Sequence, residues 1–181
     1  MPTTYAHDLF GQKVYRQLPD QVKEIIRKNG ELYRIGLHGP DIFFYYFIFK
    51  NHVSSVGYRM HKEKARAFFT QGMAQVRETG DEALLAYLLG FGCHYLLDSS
   101  CHPFVNEMND KGRISHSLLE IEFDRFLMEE NGKIKYSENF DPSVYNQRGF
   151  YDSLEKAVEY VSSHGKWNSL YSNGCRPYLK A

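Results

Sequence analysis

The segment GDEALLAYLLGFGCHYLLDSSCHPF, residues 80–104, is apolar on almost every side of a helical wheel. Leu84, Leu85, Leu88, Leu89, Phe91, Tyr95 and Leu96 leave no solvated face, so a helix here belongs at the centre of a domain. Gly80-Asp81 opens it. Pro103 disfavours helical geometry at His102, which predicts an end near Cys101. Working outward, the chain reads as helices punctuated by Gly, Pro and Asn. Helices are expected over 8–17, stopped before Pro19, and from Asp20, a candidate N-cap, to Asn29-Gly30. Two short helices with a turn are expected over 31–49, and one longer helix over 59–79. A further helix covers 114–130, a loop 133–146 and a last helix 150–163. Strand signals are nearly absent. The predicted fold is all-α, a single-domain multi-helix bundle over 1–181 around the buried central helix.

Composition narrows the function classes. Lys+Arg 22 against Asp+Glu 22 gives a formal net charge of zero, which argues against a broad nucleic-acid footprint or an electrostatic membrane anchor. With 43% hydrophobic residues the chain has material for one sizeable core. Its longest apolar run, 42–49, is far short of the roughly 20 residues of a bilayer span. The opening MPTTYAHDLFGQK has neither a basic nor an apolar leader region, so no signal peptide is expected and the location is read as cytoplasmic. Cys93, Cys101 and Cys175 lack C-x2-C spacing and are expected to be reduced.

On the central helix His94, Asp98 and His102 stand at i, i+4 and i+8. Each step of four drifts about 40° around the helix, so the first two share a face and the third sits at its edge. A buried Asp beside a buried His needs compensation. Either a satisfied core hydrogen bond or a metal supplies it. Cys101, seven residues after His94, aligns with that face better than His102, and geometry alone does not choose between them. His116 and Glu120 form a second i, i+4 pair beside Leu119, Phe123 and Leu127. It suits two ligands of one zinc ion, or a surface contact of little worth. Asp124 continues that row, as a partner for a ligating imidazole or as a solvated acid. His7, Asp41 (an N-cap after Gly39-Pro40) and His61 (on an inward face) are weaker signals singly. His38, His52 and His164 read as structural or exposed.

The joint order is His7, Asp41, His61, His94-x3-Asp98-x3-His102, His116-x3-Glu120. Together with GLHGPDIFFYY, GFGCHYLLDSSCHPF and ISHSLLEIEFD, it resembles the zinc-dependent phospholipase C family, whose fold is shared with zinc-dependent single-strand nucleases. The resemblance covers about 5–127, with 132–181 unassigned. It implies that Asp41, His61, His94 and Asp98 hold one zinc, and that His102, rather than Cys101, joins His116 and Glu120 around another. His7 and a shared Asp98 would serve a third, for which the family also uses the amine and carbonyl of an N-terminal tryptophan. Here Met1-Pro2 stands at the start, so two or three ions are expected. The position after Asp41, an aromatic that helps cage choline in the secreted phospholipases, is Ile42.

Three carboxylates give about −3 and three zincs about +6, leaving a pocket of about +3, or about +1 with two ions. Such a pocket attracts phosphate esters without a basic surface. The implied activity is phospholipase C-like hydrolysis of a phosphodiester by metal-activated water, with Asp41 as candidate base and a phospholipid or other phosphodiester as substrate. A nuclease of the same fold and a non-catalytic metal-binding domain are the alternatives. The adjacent His-Asp pair that an HD-type phosphohydrolase needs occurs only at His7-Asp8, and that reading is set aside.

Overall fold

A computed structural model describes residues 4–46, 51–112 and 115–133. Its elements are α1 (Thr4–Gln17), α2 (Asp20–Lys28), α3 (Gly30–Leu37), a 3-10 helix (Gly39–Phe44), α4 (His52–Lys62), α5 (Arg66–Thr79), α6 (Glu82–Asp110) and α7 (His116–Glu130). No strand occurs among the described residues, and the protein is all-α as expected. Within the same residues no helix is long and apolar enough to cross a membrane. The expected loop and helix beyond 133, Ile114, His164 and Cys175 lie outside the described residues.

The apolar segment becomes α6, and α1, α2, α3, α5, α7 and the 3-10 helix all pack against it. Its Leu85, Leu89 and Leu97 join Phe10, Val22, Ile26, Val76 and Leu119 in one core. The tightest packing is between α3 and α6. A Cβ on Gly36 would collide with the Tyr87 carbonyl oxygen and one on Gly90 with that of Tyr33, so the two backbones touch because neither residue has a side chain.

α1 begins at Thr4 rather than at residue 8, and α4 at His52 rather than at 59; three further boundaries differ from the sequence expectations. The helix does not end at Cys101 but runs through Pro103 to Asp110. Proline inside a helix costs about 3 kcal/mol. Continuing the helix buries Val105 and Met108, and each such side chain stabilises by roughly 1.5–3 kcal/mol, enough to offset the proline. The helix expected over 59–79 breaks at Glu63, which is extended at φ −86° and ψ 155°. Before the break α4 packs on the 3-10 helix, and after it α5 packs on α6. One straight helix does not serve both partners. Asp20 is the first residue inside α2 rather than its cap, which is Pro19. Its carboxylate still favours the positive end of that helix.

Candidate metal centre

Asp41 reaches the central helix through a constrained turn. Gly39 opens the 3-10 helix at φ 53°, and a Cβ there would collide with the imidazole ring of His94. Only glycine lets the chain pass so close, and two residues later Asp41 is 2% exposed against His94, also 2%.

The imidazoles are oriented by backbone carbonyls. His94 Nδ1 donates to Leu37 O at 3.2 Å, His61 Nδ1 to Gly57 O at 2.8 Å and His102 Nδ1 to Asp98 O at 2.8 Å. A carbonyl only accepts, so each Nδ1 carries the proton and the other ring nitrogen is left for a ligand. His94 Nε2 lies 3.7 Å from Asp41 Oδ2 and 3.8 Å from Asp98 Oδ2. His61 Nε2 lies 3.0 Å from Asp41 Oδ1 and 3.9 Å from Asp98 Oδ2. Asp98 Oδ1 also lies 3.7 Å from His7 Nε2 and 3.6 Å from His102 Nδ1. One carboxylate thus faces four imidazoles.

His102, His116 and Glu120 form a neighbouring group. His116 Nε2 is 3.0 Å from Glu120 Oε1, and the rings of His102 and His116 are 5.2 Å apart. His7 stacks on His94 with ring centroids 4.2 Å apart. Three sets therefore place ligand atoms close enough for one ion each: His7, Asp41 and His94; His61, His94 and Asp98; His102, His116 and Glu120. Among side chains the resemblance pairs His7 with Asp98, and the fold brings it to Asp41 as well.

The electrostatics of the cluster call for a cation. Buried Asp41 Oδ2 and His94 Nε2 have no hydrogen-bond partner. The two atoms face each other at 3.7 Å inside the protein, and such a buried acceptor pair is costly unless a proton or a metal cation lies between them. Burial pushes the Asp41 carboxyl up to about 6 and holds His7 down at about 3, with His94 also well below its ordinary range. Burial raises Glu120 too. Burial opposes the His61 cation, but the hydrogen bonds to Asp41 and Gly57 outweigh it and lift that group to about 9. His7 and His94 are thus neutral, whereas His61 must release its Nε2 proton to ligate; with that proton gone, these nitrogens and the carboxylate oxygens form a donor set that fits a zinc ion.

The family model for zinc-dependent phospholipase C matches residues 6–181. The chain belongs to the zinc-dependent phospholipase C family. No curated protein and no solved structure matches it. The family match extends past the 5–127 read from the motifs and takes in the remainder of the chain. Zinc is thus the cation implied for this phospholipase C-like cluster.

Cys101 belongs to none of the three groups. It is buried in the core beside them, and burial pushes its thiol up to about 12. His38 also stands apart, with Nδ1 3.1 Å from the Tyr45 hydroxyl. Sequence reasoning missed two features. Asp124 is not a solvated acid; it accepts hydrogen bonds from the backbone N–H groups of Tyr5 and Ala6. No local signal pairs α7 with the start of α1. A cleft of about 590 Å³ opens beside His61, His94, Asp98 and His102, walled by Phe68, Phe91 and Tyr95. Those aromatics read as core spacing in the sequence. Glu63, Lys64 and Ala65 of the α4–α5 break line the same cleft, and the sequence reading did not contain that break.

Proposed function

We propose that residues 1–181 form one zinc-dependent phosphoric ester hydrolase domain, phospholipase C-like, acting on a phosphodiester in the cleft beside Asp98. The observation that carries this reading is the contact of one carboxylate, Asp98, with His7, His61, His94 and His102 at 3.6–3.9 Å. Asp41, His61, His94 and Asp98 would hold one zinc; His102, His116 and Glu120 a second; His7, with the shared Asp98, a third. When bound, zinc lowers the pKa of water toward 7 and stabilises negative charge on phosphoryl and leaving oxygens.

The chain's own residues supply placement. Leu37, Gly57 and Asp98 carbonyls fix three imidazole tautomers. Asp41, with one oxygen on His61 and the other without a hydrogen-bond partner, suits orienting the attacking water and taking its proton. Water adds to phosphorus, the bond from phosphorus to the alcohol oxygen breaks, and the products are a phosphomonoester and an alcohol. Phe68, Phe91 and Tyr95 favour an ester with an apolar part, such as a phospholipid, over a polyanionic strand. The open cleft also weighs against a non-catalytic domain, because structural zinc sites are closed.

Metal analysis of protein purified without chelator, together with turnover of bis-p-nitrophenyl phosphate, tests the reading. Two or three zincs per chain and chelator-sensitive turnover are expected. A chain that binds no zinc, or binds it without any turnover of phosphodiester or phospholipid, overturns it.

A further inference from the structure

We propose that Asp124 is a positioning residue for His7 and so sets the occupancy of the metal group to which His7 belongs. This rests on the reading above that His7 is a zinc ligand. Asp124 Oδ1 accepts from Ala6 N at 2.7 Å and Oδ2 from Tyr5 N at 2.9 Å. Both donors lie in the first turn of α1, where N–H groups have no partner within the helix. The carboxylate caps that turn from α7, and its charge also suits the positive end of α1.

His7 follows Ala6 directly and depends on this anchor more than the other imidazoles do. Backbone carbonyls orient His61, His94 and His102. His7 has no such guide: its buried Nδ1 lacks a hydrogen-bond partner, and the ring rests on stacking against His94. The place of His7 is therefore set by the backbone of α1, and that backbone by Asp124. A second tie, Thr4 Oγ1 to the Tyr45 hydroxyl at 3.2 Å, is exposed and open to competition from water. His116, Glu120 and Asp124 stand at i, i+4 and i+8 on α7. One helix row thus carries two ligands of one group and the anchor for another.

The test uses the full chain purified with zinc and without chelator. Zinc per chain is measured for the parent, Asp124→Ala, His7→Ala, the double variant and Asp81→Ala. Asp81 is the control because it caps α6 through Ala83 N at 2.8 Å and Leu84 N at 2.9 Å, away from the cluster. Asp124→Ala and His7→Ala should each lose one equivalent, and the double variant no more than either. Asp81→Ala should melt lower and keep the parental zinc. Asp124→Asn retains one acceptor oxygen and should recover the lost equivalent at roughly tenfold weaker affinity, read by competition with a chromophoric chelator. Asp124→Ala with full parental zinc, or a double variant that loses a further equivalent, overturns the proposal. If Asp124→Ala does not fold, Asp124→Asn decides alone, and a titration identical to the parent's overturns it. A parent without zinc, or a His7→Ala variant that keeps all of it, sinks instead the reading of His7 as a ligand.

Discussion

Nε2 of His7 lies 3.7 Å from Oδ1 of Asp98, although most of the described helices lie between the two residues in sequence. His7 arrives on the first helix and Asp98 on the sixth, and the other oxygen of Asp98 faces His61 and His94. That carboxylate is the point through which all the groups of the cluster touch. On the proposed reading, its charge is expected to set how many ions the site holds.

Asp98→Asn is expected to abolish hydrolysis and to lower zinc by more than one equivalent, because the carboxylate faces imidazoles of more than one group. In protein stripped with chelator the same change should leave the melting temperature equal or higher. The Asp98 charge disfavours ionisation of both Asp41 and Glu120, and an amide removes that repulsion. Glu120→Gln should cost only the zinc shared with His102 and His116. If Asp98→Asn binds as much zinc as the parent and melts lower when stripped, Asp98 is a structural partner of His94 and no more.

His102→Ala is expected to remove about one zinc equivalent, and Cys101→Ser none. His102 turns its ring toward His116, with centroids 5.2 Å apart. Cys101 offers no ligand atom to any of the three candidate groups. The opposite pattern in metal analysis would reassign the ligand.

The central helix, and the spacings of four that the fold brings into the candidate cluster, were legible in the sequence because both are local patterns. All-round apolarity marks a buried helix, and a spacing of four marks one helical face. What escaped was non-local. Pro103 reads as a stop on local sterics, and burial of Val105 and Met108 overrides it. The break at Glu63 and the cap that Asp124 places on α1 depend on which helices meet in space, information that spacing does not hold.

Asp124 also gives a pH dependence. Burial pushes its carboxyl from an ordinary 3.8 up to about 6, against the hydrogen bonds from Tyr5 and Ala6, and Glu120 adds to the rise. A raised carboxyl in the folded state contributes stability that is present below 3.8 and lost as pH rises through about 6. Asp124→Asn has no such titration. In chelator-treated protein the melting temperature of the parent relative to Asp124→Asn should therefore increase as pH falls from 7 toward 4. A difference that is flat across that range would show that the carboxyl is not raised.

Gly39→Ala separates the turn at the site from turns elsewhere. Gly39 at φ 53° and Gly112 at φ 65° both hold a left-handed backbone conformation that costs an L side chain about 1 kcal/mol or more. They differ in what the new methyl group meets. At Gly112 nothing lies within 4 Å, whereas at Gly39 the Cβ would collide with the His94 ring. Gly112→Ala should accordingly melt slightly lower, keep all its zinc and keep its phosphodiester turnover. Gly39→Ala should melt lower still, because a buried ring must move in a close-packed interior. Moving that ring draws Nε2 away from Asp41 and Asp98, so the variant should also lose zinc and turnover. Zinc content and thermal melts of the two variants, side by side, decide the point. Equal behaviour of the two would mean that Gly39 serves only the turn, and that the close approach to His94 has no part in shaping the cluster.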